Sequence, residues 1–132
     1  MIYITGTGTG ITFNEANYPL DIEPNIFAKR RTMLGEQREV LRLTLLGTYA
    51  DVAAVFVDNA QFGREVDEPI LDDNGQPTDI TQTVHYDLSE YSKAGDIIDH
   101  RDGRITVYMG KPTEKELLEQ AFDQMLLNIL EV

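Results

Sequence analysis

Apolar and polar positions change their spacing several times along this chain, and each change marks an element. Ile2 and Ile4 alternate with Tyr3 and Thr5, the pattern breaks at Gly6, Gly8 and Gly10, and it resumes at Ile11 and Phe13. This predicts two strands around a Gly/Thr-rich turn. Residues 14–36 have no clear period and contain Pro19 and Pro24. They read as an irregular excursion carrying a local basic cluster, Lys29, Arg30 and Arg31. Leu41, Leu43 and Leu45 then face one way and Arg42 and Thr44 the other, the mark of a half-buried strand that ends at Gly47. The period shifts again at Val52, Val55 and Phe56, spaced i, i+3, i+4 behind a capping pair, Thr48 and Asp51, so a short helix is expected over residues 49–57.

Two hairpins follow. Asn74-Gly75 tolerates positive φ at both positions and joins "FGREVDEPIL" to "DITQTVHYDL", in which Ile80, Gln82, Val84 and Tyr86 share a face. Asp102-Gly103 makes the second turn, and Ile105, Val107 and Met109 line one face beyond it. Pro112 stops that strand, and Thr113-Glu114-Lys115-Glu116 forms a capping box, opening a helix expected over residues 113–130. The predicted class is α+β: mostly antiparallel sheet, one short internal helix and one long C-terminal helix.

The terminal helix is unusually apolar. Leu118, Phe122, Met125, Ile129 and Val132 are spaced 4, 3, 4, 3, a heptad seam. Leu117, Ala121, Leu126, Leu127 and Leu130 widen it beyond one stripe. Either the helix lies on its own sheet and the wide stripe fills a concave face, or part of the stripe meets another copy. The second use is favoured, with an interface of Leu117, Leu118, Ala121 and Phe122 continued by Met125, Leu126, Ile129 and Leu130. The seam is short for an autonomous coiled coil, so a small bundle docked on a β-scaffold is expected.

Composition narrows the function. The 132 residues suit a single domain, a β-rich body over 1–111 and the helix over 112–132. There are 11 Lys plus Arg against 23 Asp plus Glu, a formal net charge of −12. That field repels phosphate backbones and anionic membranes, so neither nucleic acid nor membrane is an expected partner. With no cysteine, thiolate catalysis and zinc–cysteine sites are excluded. The N-terminal residues carry no basic region and no long apolar run, and no stretch approaches a membrane span.

Candidate chemistry is sparse. "GTGTG" at 6–10 lacks a following helix or lysine to hold phosphate and reads as a turn. Asp96, Asp99 and Asp102 near His100 could bind metal or move protons, but their spacing matches no ligand motif. "DDNG" at 72–75 resembles the start of a calcium loop without its later positions. His85 reads as solvent-facing, and the six tyrosines read as sheet packing, a ligand pocket or an interface. No nucleophile stands beside a base, so the reading is non-enzymatic, with no cofactor and no metal.

The block from Tyr86 to Gln120, "YDLSEYSKAGDIIDHRDGRITVYMGKPTEKELLEQ", resembles a recurrent segment of small phage and prophage proteins of Gram-positive bacteria, encoded near tail genes. In them a C-terminal helix or coiled coil follows this block. Arg104 stands where those proteins usually have threonine. The likeness covers about a quarter of the chain and brings no catalytic residue with it. It implies viral origin and a virion or morphogenesis role, in the host cytoplasm during assembly and then in the virion. The expectation is a phage structural or tail-associated protein that pairs with itself and with other virion proteins. The alternative is an anti-defence protein that sequesters a nucleotide signal or blocks a host protein, with Arg30, Arg31, Arg101 and Arg104 as its anion pocket.

Overall fold

A computed structural model describes residues 1–5, 10–20 and 24–130. Among these residues the chain forms two four-stranded antiparallel sheets and two helices, the α+β class that the sequence pattern implied. The first sheet has the order β2-β1-β5-β6, from Thr12–Phe13, Ile2–Ile4, Phe62–Leu71 and Pro77–Asp87. The second has the order β3-β4-β8-β7, from Ile26–Met33, Glu36–Leu46, Arg104–Gly110 and Lys93–Asp99. The core lies between them. Ile2, Ile4, Phe13 and Phe62 of the first sheet meet Leu41, Leu43, Leu45, Ile105, Val107 and Met109 of the second.

Helix α1, Tyr49–Val55, closes one end of this core with Val52 and the adjoining Phe56. Phe56 stacks edge-on against Phe62 at 5.3 Å between centroids. The expected cap is present: the Thr48 hydroxyl accepts from the Asp51 amide at 3.2 Å. The turn expected around Gly6–Thr9 lies outside the described residues.

Two expectations need correction. Residues 14–36 are not an irregular excursion throughout. Residues 14–16 leave the first sheet and run beside β4, with Ala16 N donating to Thr44 O at 2.9 Å and Leu46 N to Asn14 O at 2.8 Å. Residues 26–33 then form a full strand, β3, paired from Ile26↔Leu43 to Met33↔Glu36. Its period was hidden because β3 is an edge strand with no fully buried residue, and such a position does not demand alternation.

β4 is likewise not half-buried. Arg38, Val40, Arg42 and Thr44 are at most 2% exposed on the face opposite the leucines. Arg42 is stacked 3.7 Å from the Tyr18 ring and donates to Pro24 O at 2.5 Å. Thr44 and Thr106 share a hydrogen bond at 3.0 Å. The segment before β3 therefore roofs a face whose polar residues read as outward in sequence.

Both later hairpins are present about Gly75 (φ 78°) and Gly103 (φ 88°). β1 accompanies β5 only from Phe62 to Arg64. From Val66 to Val84, β5 and β6 pair only with each other. Six residues of β5, Val66 to Leu71, at ~3.3 Å each carry this two-stranded ribbon about 20 Å beyond the sheet.

Candidate assembly surface

The terminal helix α2, Glu114–Leu130, is fastened to the body at its first turn. The expected capping box forms: Thr113 N donates to Glu116 Oε1 at 2.8 Å, and Glu116 N donates to Thr113 Oγ1 at 3.2 Å. Glu116 also reaches into the body. Arg38 donates Nη1 to Oε1 at 2.5 Å and Nη2 to Oε2 at 3.1 Å, a bidentate pair. The Arg38 side chain is held by two carbonyls as well, Met33 O at 3.0 Å and Lys111 O at 3.2 Å. The guanidinium first, and the Thr113 amide second, pull the Glu116 carboxyl down to about 2 from its usual 4.5.

The arginine has room because β8 ends in a glycine. A Cβ on Gly110 would lie 2.6 Å from Met33 Cε and 2.7 Å from Arg38 Cδ.

Past this root, no residue of α2 is buried. Leu118, Phe122, Met125 and Ile129 are 57–71% exposed, and Leu130 is 79% exposed. The direction of the stripe follows from helix geometry. At ~100° per residue, Met125 lies half a turn round from Glu116, and Leu118, Ala121, Phe122 and Ile129 lie within about 60° of Met125. The apolar stripe thus points away from the one side of the helix that is tied down. Leu117 and Leu126 flank the stripe, while Leu130 falls nearer the anchored side, beyond the reach of the body. At about 60–120 Å² of apolar surface per large side chain, roughly half of it wet, these seven large side chains expose about 200–400 Å².

The residues proposed for an anion pocket are not brought together. Arg31 and Arg30 stand opposite Arg38 and Glu39, whereas Arg104 stands opposite Leu46, about 26 Å along β4. Arg101 sits in the β7–β8 turn at φ 62°. Arg104 donates to Asp102 Oδ2 and to Asn17 O, and this arginine holds the Asp102 carboxyl below its usual range. Arg31 lies 5.2 Å from the Tyr108 ring. A cleft between the β3–β4 turn and the root of α2 collects Arg30, Lys111 and Lys115, but Lys111 is paired with Glu39 at 2.6 Å and Lys115 with Glu36 at 3.9 Å.

The aspartate–histidine group is occupied locally. Asp99 accepts from Arg101 N at 2.8 Å, and His100 Nε2 lies 2.7 Å from Thr106 Oγ1. Asp72 Oδ1 accepts from the amides of Asn74 and Gln76, both at 2.9 Å, closing the hairpin turn. Among the described residues no three His, Asp or Glu side chains are grouped to hold a metal, and no helix is long and apolar enough to cross a membrane. His85 is exposed, edge-on to Tyr3 at 5.4 Å. Tyr91 is buried and donates to Glu39 Oε2 at 3.0 Å.

Sequence reasoning missed Arg38. It sits in the polar phase of a strand, and nothing local distinguishes it from a solvent-facing arginine. Compared with known proteins, the chain matches no family model, no curated protein and no solved structure.

Proposed function

We propose that this is a non-enzymatic phage structural or tail-associated protein that self-associates through α2. The observation carrying the reading is the orientation of the helix: its apolar stripe is turned away from Glu116, its anchor, and lies open to solvent along about three turns, from Leu118 to Ile129. Water contact costs each large apolar side chain about 1.5–3 kcal/mol relative to burial, so a second copy of the stripe is a favourable cover. Two such helices bury about 400–800 Å² in total, below the standard size of a stable complex, so a bundle of three or four copies is favoured over a pair. The phage assignment rests on the likeness of residues 86–120 to prophage-encoded proteins.

The test is sedimentation or light scattering of the full chain at micromolar concentration. The wild type is expected to be larger than a monomer. Leu118→Glu with Ile129→Glu is expected to give a monomer with unchanged far-ultraviolet dichroism. A monomeric wild type overturns the reading. Tight calorimetric binding of a cyclic nucleotide by that monomer would support the anti-defence reading instead.

A further inference from the structure

A second surface, independent of α2, is left open at the opposite kind of element. The β5–β6 ribbon pairs only with itself beyond Glu65, whose backbone still meets Met1, and an isolated two-stranded hairpin is marginal in water. It exposes Leu71 and Ile80 at 59% and 65%. Between residues 62 and 87 it carries seven carboxylates, from Glu65 to Asp87, against one arginine, and that arginine, Arg64, is paired with Glu15 at 2.7 Å. Its two edges differ. Pro69 blunts the β5 side, whereas β6 has no proline after its first residue, Pro77.

Elsewhere in the molecule, β3 is the edge of the second sheet and presents Lys29, Arg30 and Arg31 in succession. Among the described residues, neither Lys29 nor Arg30 has an ion-pair partner. Three consecutive cations on an edge prevent two β3 strands from pairing with each other. The same charges select an acidic strand.

We propose that β6 of one copy docks along β3 of a second copy, adding the acidic ribbon of one molecule to the basic sheet edge of the next. The lengths agree: β3 spans eight residues, about 26 Å, and the open part of β6 is of similar length. The partner is this chain rather than a polyanion, because the net charge of −12 repels nucleic acid while the ribbon supplies acidic groups on two paired strands, Asp79 on β6 itself and Glu65, Asp67 and Glu68 on the adjoining β5. The contact joins two different patches, so each copy keeps one free ribbon and one free edge. Such a heterologous contact propagates into a ring or a filament.

The experiment uses the full chain carrying Leu118→Glu and Ile129→Glu, so that α2 contacts do not contribute, with sedimentation velocity at about 0.02 M and about 0.5 M salt. Association is expected at low salt and is expected to weaken at least tenfold at high salt. Lys29→Glu with Arg30→Glu is expected to abolish it, as is Asp67→Lys with Asp79→Lys. Mixing those two variants restores complementary pairs in both directions and is expected to restore association. Dichroism spectra matching the parent show that each variant is folded. No association at low salt, association insensitive to either charge reversal, or failure of the mixture to associate overturns the proposal. Because α2 is disabled throughout, these outcomes are separate from the fate of the helix-mediated contact.

Discussion

β4 and β6 are both eleven residues long, and they have opposite environments. β4 is central in its sheet: Leu41, Leu43 and Leu45 face the core, and Arg42 and Thr44 lie against the segment that precedes β3. β6 is an edge strand, and none of its residues is buried. Alternation is visible in both sequences, so alternation alone does not set burial. What differs is the supply of covering chain. β4 has a sheet on one side and, on the other, residues 14–18 and Pro24, whereas β6 has only β5. Stability resides in the first strand, and the surfaces available to neighbours lie near the second and along α2.

The largest effect that separates the two is expected from Leu43→Ala. Its side chain is fully buried, and its loss should cost about 2–5 kcal/mol, read as a lower urea midpoint at unchanged slope. Next comes Glu116→Gln, which removes the charged partner of buried Arg38 and should cost about 1.5–3 kcal/mol at pH 7.

The same pair has a pH signature. The Glu116 carboxyl titrates at about 2 in the folded chain against 4.5 unfolded. Its contribution is therefore complete above pH 4.5 and is lost as pH falls toward 2, where the unfolded chain binds the proton first. Denaturation of the wild type at pH 6 and pH 3 should show a steeper loss than in Glu116→Gln, and parallel losses would remove Glu116 from the account.

A smaller effect, about 1 kcal/mol, is expected for Gly75→Ala, because φ 78° strains any Cβ while the space around it is open. Smallest is Ile80→Thr on the open face of β6, within about 0.5 kcal/mol by thermal melting. A loss as large as that for Leu43→Ala would mean that the ribbon is covered.

Much of the architecture could be read from local chemistry. The Asn74-Gly75 and Asp102-Gly103 turns, the Thr48 cap and the Thr113–Glu116 box each encode their structure within a few residues, and all appear where the pattern put them. The α1 helix ends at Val55, two residues short of the expected boundary, where the turn after Phe56 begins. Features that depend on distant chain were not legible. β3 lacks alternation because Ala28, Arg30 and Thr32, on its core-side phase, stay exposed at the sheet margin. Arg42 reads as solvent-facing until Tyr18, 24 positions earlier, is placed over it. Within the candidate surface, the heptad spacing of Leu118, Phe122, Met125 and Ile129 was plain, but the direction of that stripe was not. It depends on Arg38, 78 residues away from Glu116.

Gly110 gives that dependence a mechanical sense. Because β8 closes without a side chain, the stem of Arg38 can cross the sheet margin and grip the first turn of the helix. A methyl group added there would tilt a lever about 25 Å long, since seventeen residues rise ~1.5 Å each, and would swing its far end through several times the displacement at its root. The aim of the outermost leucines is thereby governed by a residue that never touches them.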